Sequence, residues 1–405
     1  MAASPTPFLP SSPESKQAYR WPFWFTVPLY PYGQRRTLRH EVVPEWVWTF
    51  DQLQGIFYVT VPIRMTVVRL EEGGLLVYAP VAPTPECLRL MDELVTQYGA
   101  VKYIILPTTS GLEHKAFVGP FARRFAQAVV YVAPGQWSFP LSLPLSWLGF
   151  PPGRTQVLPA ESSKAPFGSQ FDYAVLGPLD LGQGNFGEVA FFHRRSRILL
   201  LTDTLVSIPF APPAIVELDP YPLLFHARED ATEAIADTPE NRIKGWHRVA
   251  LFAFYFRPSA MTTIPLGEAW QAAQQAPDRS RKAYYGLYPF HWQPHWQKSF
   301  DALRGEGRLR VAPILQQLIL NRAPQQVQDW AKQVALWGFQ QIIPCHLDAP
   351  VQATPQDFLE AFNCLDPSLP KEAQPWRLPE EDFEFLRELE SGLIRRGISQ
   401  PVDFE

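Results

Sequence analysis

The chain has 405 residues, 46% of them hydrophobic and 19% charged, with a formal net charge of −4. Its length exceeds that of one ordinary domain and its balance suits a sizeable buried core, while the slightly acidic charge excludes bulk nucleic-acid binding. Three scattered cysteines, Cys87, Cys345 and Cys364, are too few for a disulfide framework or a thiolate zinc site, which favours a reducing, cytoplasmic setting.

In chain order, residues 1–36 read as a leader. Residues 1–20, Pro/Ser-rich at their start, are expected to be disordered; the start lacks the basic and apolar regions of a secretory signal. Residues 21–32 then carry Trp21, Phe23, Trp24, Phe25, Tyr30 and Tyr32. That is too much apolar surface for a free tail, so the segment is expected to lie extended along the body or to make peripheral contact with a membrane. No apolar run, including Val249–Phe256, approaches the roughly 20 residues a membrane helix needs, so the chain reads as soluble.

Strand patterns follow at Val47–Phe50, Gly55–Val61, Met65–Leu70 and Leu75–Ala79. Thr84 and Pro85 open a helix that Gly99 closes. Lys102–Leu106 is an apolar strand, Pro107–Lys115 a loop, 116–125 a short helix, and Val129–Ala133 another strand. This alternation predicts an α/β layer. Asp172–Leu176, Glu188–His193 and Ile198–Thr202 read as a meander, 238–337 as a long helical stretch, Gln341–Ile343 as a last short strand, and 379–396 as an amphipathic helix.

Three polar clusters each sit just past an apolar strand: Glu113-His114 after Tyr103–Leu106, Asp203 after Ile198–Thr202, and His346 with Asp348 after Ile342-Ile343. Strand ends in α/β sheets are where sites gather, because the sheet fixes where the loops point. Two histidines and two carboxylates form a donor set that Zn²⁺ accepts, with Fe or Mn also compatible. Taken singly, His114 also reads as a loop histidine, Asp203 as a cap and His346 as a satisfied core histidine.

Gly74–Ala79, the helix after Thr84, Val101–Leu106 and the loop ending in Glu113-His114 resemble the N-terminal half of a metallo-β-lactamase fold. Leu199–Thr204 resembles the strand bearing that superfamily's bridging aspartate, and Ile342–His346 its last histidine motif. More closely, the chain resembles an uncharacterised domain-of-unknown-function family of oxygenic phototrophs grouped with that superfamily. The resemblance implies an αββα sandwich of metallo-β-lactamase type with a helical insertion. It divides the chain into a first part of that domain at 37–209, the insertion at 210–337, the end of the domain at 338–365, and a C-terminal amphipathic helix and tail at 366–405.

Carried over, the superfamily's H-x-H-x-D-H run falls on Thr109, Gly111, Glu113 and His114. Its third histidine motif falls near Gly184, and a conserved aspartate falls near Ala79. The histidines of one metal subsite are therefore missing, and Glu113, His114, Asp203 and His346 match the ligands of the other.

Two function classes follow from the resemblance, with an oxidoreductase using a non-haem iron at the same residues as a third, weaker one. One is a mononuclear metal-dependent hydrolase for an ester, thioester or amide, with one Zn, Fe or Mn ion and with Asp203 or Asp348 as general base. The other is a scaffold without bound metal that recognises a protein or small-molecule partner and assists photosynthetic or membrane complexes, peripheral to the thylakoid. A catalytic metal needs a cleft, and the insertion is expected to sit beside it as wall or lid, its aromatics such as Tyr284, Tyr285, Trp292 and Trp296 lining a pocket for a large apolar ligand.

Three further signals weigh less. Gly182-x-Gly184-x-x-Gly187 matches a dinucleotide fingerprint but opens a strand rather than a helix, so it reads as a hairpin loop. Asp278–Lys282 reads as a solvated helix edge or an anion grip. His291 and His295 are separated by Pro294 and so do not form a one-face helical pair.

Overall fold

The computed structural model describes residues 16–26, 28–109, 111–138, 142–366, 369 and 377–401. Of residues 1–20, expected to be disordered, 1–15 lie outside the described residues, as does part of the C-terminal tail. Residues 16–20 are held on the body, the Glu86 amide donating to Ala18 O at 2.8 Å and the Arg35 amide to Tyr19 O at 2.7 Å.

The first sheet runs β1 (Leu38–Val43), β2 (Val47–Ile56), β3 (Val59–Arg69), β4 (Leu75–Tyr78), β5 (Val101–Leu106), β6 (Val129–Val132) and β7 (Thr155–Val157), in that spatial order. Its β1–β4 half is antiparallel and its β4–β7 half parallel. Helices α1 (Pro85–Tyr98) and α2 (Leu112–Arg124) supply the crossovers. The α1 start is the expected one: the Thr84 hydroxyl accepts from the Cys87 amide, Pro85 occupies the first turn, and Gly99 at φ +99° ends the helix.

The second sheet opens with β8 (Phe171–Asp180), β9 (Asn185–His193) and β10 (Ile198–Leu201). β11 (Leu205–Val206) follows, and residues 210–337 then contribute α3 (Ala214–Glu217), α4 (Tyr221–Ala227), α5 (Pro239–Tyr255), β12 (Met261–Thr263), α6 (Leu266–Ala273), β13 (Phe290–Trp292), α7 (Trp296–Arg304), β14 (Arg310–Val311), α8 (Pro313–Leu318) and α9 (Pro324–Ala335). β15 (Gln341–Pro344) and β16 (Val351–Gln352) complete the sheet in the order β16-β15-β10-β9-β8, with β15 parallel to β10. Helices α10 (Pro355–Ala361) and α11 (Glu384–Arg395) follow.

The layers are visible in the core. Leu76, Tyr78 and Ile105 of the first sheet pack between the sheets against Val189, Phe191, Leu200 and Ile343 of the second. On the outer face of the first sheet, Val77 and Ile104 pack under Met91 of α1 and Phe117 of α2. Beyond the second sheet, Leu199 and Ile342 pack under Trp330 of α9 and Phe358 of α10. The architecture is thus helix, sheet, sheet, helix, as expected, with a mainly helical insertion whose α5 packs on β3.

Four local expectations are corrected. β2 and β3 form one long hairpin whose turn, Phe57-Tyr58, lies inside the expected strand Gly55–Val61; both residues have positive φ, +50° and +64°. Such two-residue turns usually carry Asn or Gly, so aromatic residues gave no turn signal. Secondly, α2 begins at Leu112, which puts Glu113 and His114 in a helical first turn rather than a loop. A carboxylate there faces the positive end of the helix dipole. Thirdly, the stretch 238–337 is not wholly helical, because β12 and β13 pair within it. Finally, Asp278–Lys282 lies in a connection after α6 rather than on a helix edge.

The aromatic leader lies on the body. Trp21 is 2% exposed and sits edge-on to Phe117 at 5.5 Å. Tyr30 exchanges both backbone hydrogen bonds with Gly55, at 2.8 and 3.0 Å. Phe23, Trp24, Phe25 and Tyr32 remain exposed.

Candidate functional site

β10 and β15 are parallel neighbours with Leu201 opposite Pro344, so the chain leaves both strands side by side and delivers Asp203 and His346 to one place. Glu113 and His114 come from the other sheet. The segment after β5 is stitched to β9: the Thr109 amide donates to Gly187 O at 3.0 Å and the Val189 amide to Pro107 O at 2.8 Å. A Cβ on Gly187 would lie 2.7 Å from Thr109 Cγ2, which is why glycine stands there. The Gly182–Gly187 string is therefore the β8–β9 hairpin turn plus this close approach.

His346 is the centre of the arrangement. Its Nε2 lies 3.0 Å from Asp203 Oδ1 and 3.6 Å from Glu113 Oε2, and its Nδ1 lies 2.9 Å from Pro62 O. A carbonyl only accepts, so Nδ1 carries a proton, and a bare Nε2 would then point its lone pair at two carboxylates. Protonating both nitrogens removes that conflict. Burial alone would lower the His346 pKa; the Asp203 hydrogen bond and the charges of Glu113 and Asp203 outweigh it and raise it to about 9. For Asp203, burial pushes upward and the His346 hydrogen bond and charge win, leaving its pKa below the ordinary value. Glu113 is shifted upward by desolvation, opposed by His346, but its side chain is 40% exposed, so water screens that push.

His114 belongs to the same electrostatic neighbourhood, feeling His346 and Asp203. Its Nδ1 is 3.0 Å from Pro80 O, while the buried Nε2 has no partner among the described residues. Burial lowers its pKa to about 4, so it is neutral with an unused acceptor.

Sequence reasoning missed the groups that hold this cluster in place. Glu188 is fully buried and accepts from the Thr202, Asp203 and Thr204 amides at 2.7, 3.0 and 2.9 Å and from the Thr204 hydroxyl at 3.1 Å. Arg64 pairs with Asp51 and donates to Pro344 O and Leu347 O on either side of His346. Arg35 is fully buried near Glu113, which also hydrogen-bonds Gln54. The visible signal for Arg64 and Glu188 was a charge inside an otherwise apolar strand; Arg35 in the leader offered none.

The donor types suit a transition metal, but among the described residues no group of three or more His, Cys, Asp or Glu side chains is disposed to hold an ion. Thr109 is buried against Gly187, and Gly184 lies under the Trp137 ring. Asp348 is exposed, its amide donating to Ser207 O at 3.1 Å, and the charges acting on its carboxyl are Arg64 and Arg304. His291 lies on β13 and His295 precedes α7. Trp292 and Trp296 are buried in the helical core while Tyr285 is 60% exposed, so the expected aromatic pocket is divided between core and surface.

The protonated His346 has a testable consequence. Its folded pKa lies above the ordinary 6.5, so its stabilisation is complete below about pH 6.5 and is lost as pH rises through about 9. Lys115 works oppositely: burial lowers its pKa to about 8, so its cost is relieved as pH rises. The difference between wild type and His346→Gln isolates the histidine. Urea unfolding should show the wild-type advantage shrinking by about 2–3 kcal/mol between pH 6.5 and pH 10; a pH-independent difference would leave His346 neutral.

Among solved structures, the metal-soaked flavodiiron core from Synechocystis sp. PCC6803 is similar at 10% identity and TM-score 0.40, over 82% of this chain and 61% of that one. The chain thus spans about three-fifths of that protein's length. A metallo-β-lactamase from Pontibacter korlensis is similar at 13% identity and TM-score 0.34, over 82% of this chain and 99% of that one. No curated protein matches. Among the described residues no helix is long and apolar enough to cross a membrane. A family model described as Domain of unknown function (DUF4336) matches residues 44–364, and the chain belongs to that family.

Proposed function

We propose that this protein is a non-catalytic scaffold on a metallo-β-lactamase-type frame, in which an internal ion cluster stands where the superfamily holds metal. The observation that carries this reading is the His346 imidazole, shared between Asp203 at 3.0 Å and Glu113 at 3.6 Å with its other nitrogen on Pro62 O. The positive charge that an ion would bring is supplied by His346, with the buried Arg35 guanidinium close to Glu113. Loading a metal on His346 means displacing a proton first, which weakens binding at neutral pH. An assembly role beside photosynthetic or membrane complexes in an oxygenic phototroph belongs to the same proposal and rests on the family resemblance.

A second reading is favoured by one observation, the unpartnered Nε2 of His114, whose Nδ1 faces a backbone carbonyl as metal-ligating histidines commonly do. It is a mononuclear hydrolase with Glu113, His114, Asp203 and His346 around one Zn, Fe or Mn ion.

Elemental analysis of protein purified without chelator or nickel resin separates the two. The scaffold predicts substoichiometric metal, no hydrolysis of ester, thioester or amide substrates above the His346→Ala background, and a loss of about 1–3 kcal/mol of stability in that variant. Stoichiometric metal that disappears in both His114→Ala and His346→Ala at unchanged Tm would overturn it in favour of the hydrolase.

A further inference from the structure

We propose that the surface around the β2–β3 hairpin tip docks onto the interfacial region of an anionic lipid bilayer, independently of whether the strand-end cluster binds metal. Trp24, Tyr32, Ile56, Phe57 and Tyr285 are 43%, 44%, 60%, 63% and 60% exposed. They come from three separate segments, which meet at the half-buried Tyr284. Trp24 meets Tyr32 at 6.1 Å, Tyr32 hydrogen-bonds Tyr284, and Tyr284 meets Phe57 at 5.8 Å. The Tyr58 hydroxyl donates to Lys282 O at 2.8 Å, tying the tip to the connection after α6.

The backbone holds this patch in place against its own preference. Tyr32, Phe57, Tyr58, Tyr284 and Tyr285 all have positive φ, five of the eleven non-glycine residues that do so among the described residues. Tyr58 is repaid by burial among Tyr30, Tyr221 and Phe225. Phe57, despite its contact with Tyr284, and Tyr285 stay mostly exposed, so burial does not repay the strain at these two positions, and strain of this kind marks functional surfaces.

Charge selects the partner. Arg279, Arg281 and Lys282 are exposed beside Tyr285. Asp278 accepts from the Ser280 amide at 2.8 Å and Asp219 from the Tyr30 hydroxyl, and Lys282 lies 4.0 Å from Asp219, which leaves Arg279 and Arg281 as the cations that face the partner. Amphipathic aromatics and an aliphatic tip beside a group of cations match the chemistry of an anionic lipid headgroup layer, where rings sit at headgroup depth and basic side chains meet phosphate.

The test is flotation of the full chain with phosphatidylcholine vesicles, with and without phosphatidylglycerol. Wild type should float with the anionic vesicles only and detach as salt rises. Ile56→Asp/Phe57→Asp should weaken partitioning by at least about tenfold. The fold should survive, because aspartate adopts left-handed backbone more readily than phenylalanine, and an unchanged melting curve checks this. Arg279→Gln/Arg281→Gln should weaken binding by roughly tenfold or more, near fivefold per charge. No binding of wild type to anionic vesicles, or binding indifferent to both double variants, overturns the proposal. So does self-association of wild type that the tip variant abolishes, since a second copy would then cover the face.

Discussion

Glu188→Ala is expected to cost about 3–5 kcal/mol of folding free energy, because it strips one acceptor from four donors at once. The carboxylate is fully enclosed, and it alone gathers the amides of Thr202, Asp203 and Thr204 and the Thr204 hydroxyl. Those amides follow β10, where the strand has ended and no sheet partner remains for them. Each buried donor left without an acceptor costs about 1–3 kcal/mol. Glu188→Gln keeps the shape but turns an NH2 group toward backbone N–H groups, so it should lose at least half as much. A variant that merely opened space would instead be rescued by glutamine. Urea unfolding gives the stability; the His346 imidazole resonance gives the second readout. With the Asp203 turn released, the His346 pKa should fall from about 9 back toward its ordinary value. A Glu188→Gln protein with wild-type stability and wild-type His346 titration would remove Glu188 from the site's support.

That dependence shows what was legible beforehand and what was not. The three strand ends could be read because an apolar run such as Ile198–Leu201 stops abruptly at polar residues, and burial then fixes where the polar residues emerge. Helix α1 was equally readable from Thr84, Pro85 and Gly99, since caps are local chemistry. The β2–β3 turn was not, because Phe57-Tyr58 carries no residue that favours positive φ; tertiary contacts around Tyr58 impose it. The β12–β13 pairing was hidden for a similar reason, its two strands being three residues each and separated by α6. Residue types also could not separate a metal cage from an ion pair. Both use the same two histidines and two carboxylates, and only separations such as the 3.0 and 3.6 Å at His346 Nε2 bear on the choice. The supporting shell was hardest to foresee. Arg64 sits in Val59–Arg69 and Glu188 in Asn185–His193, and a charge inside an apolar strand announces a buried partner without saying which one.

Arg64→Met is expected to destabilise the protein by about 3–5 kcal/mol, the range for breaking a buried ion pair from one side. Arg64 and Asp51 stand directly opposite on β3 and β2, and Arg64 Nε and Nη2 reach the two Asp51 oxygens at 2.7 and 3.1 Å. The same guanidinium donates from Nη1 to Pro344 O at 2.8 Å and from Nη2 to Leu347 O at 2.9 Å. It therefore fastens the second sheet's site segment to the first sheet, with His346 between the two anchored carbonyls. Removing it leaves Asp51 charged and enclosed and the two carbonyls unsatisfied. The double variant Arg64→Met/Asp51→Leu removes the stranded charge and should recover at least half of the lost stability, since apolar pairs often replace buried ion pairs at little cost. It cannot restore the bonds to Pro344 and Leu347. If Arg64 positions the site, the double variant should regain Tm while its His346 pKa stays displaced from about 9. Recovery of both would reduce Arg64 to a packing role, and recovery of neither would place the whole cost in the two carbonyl bonds.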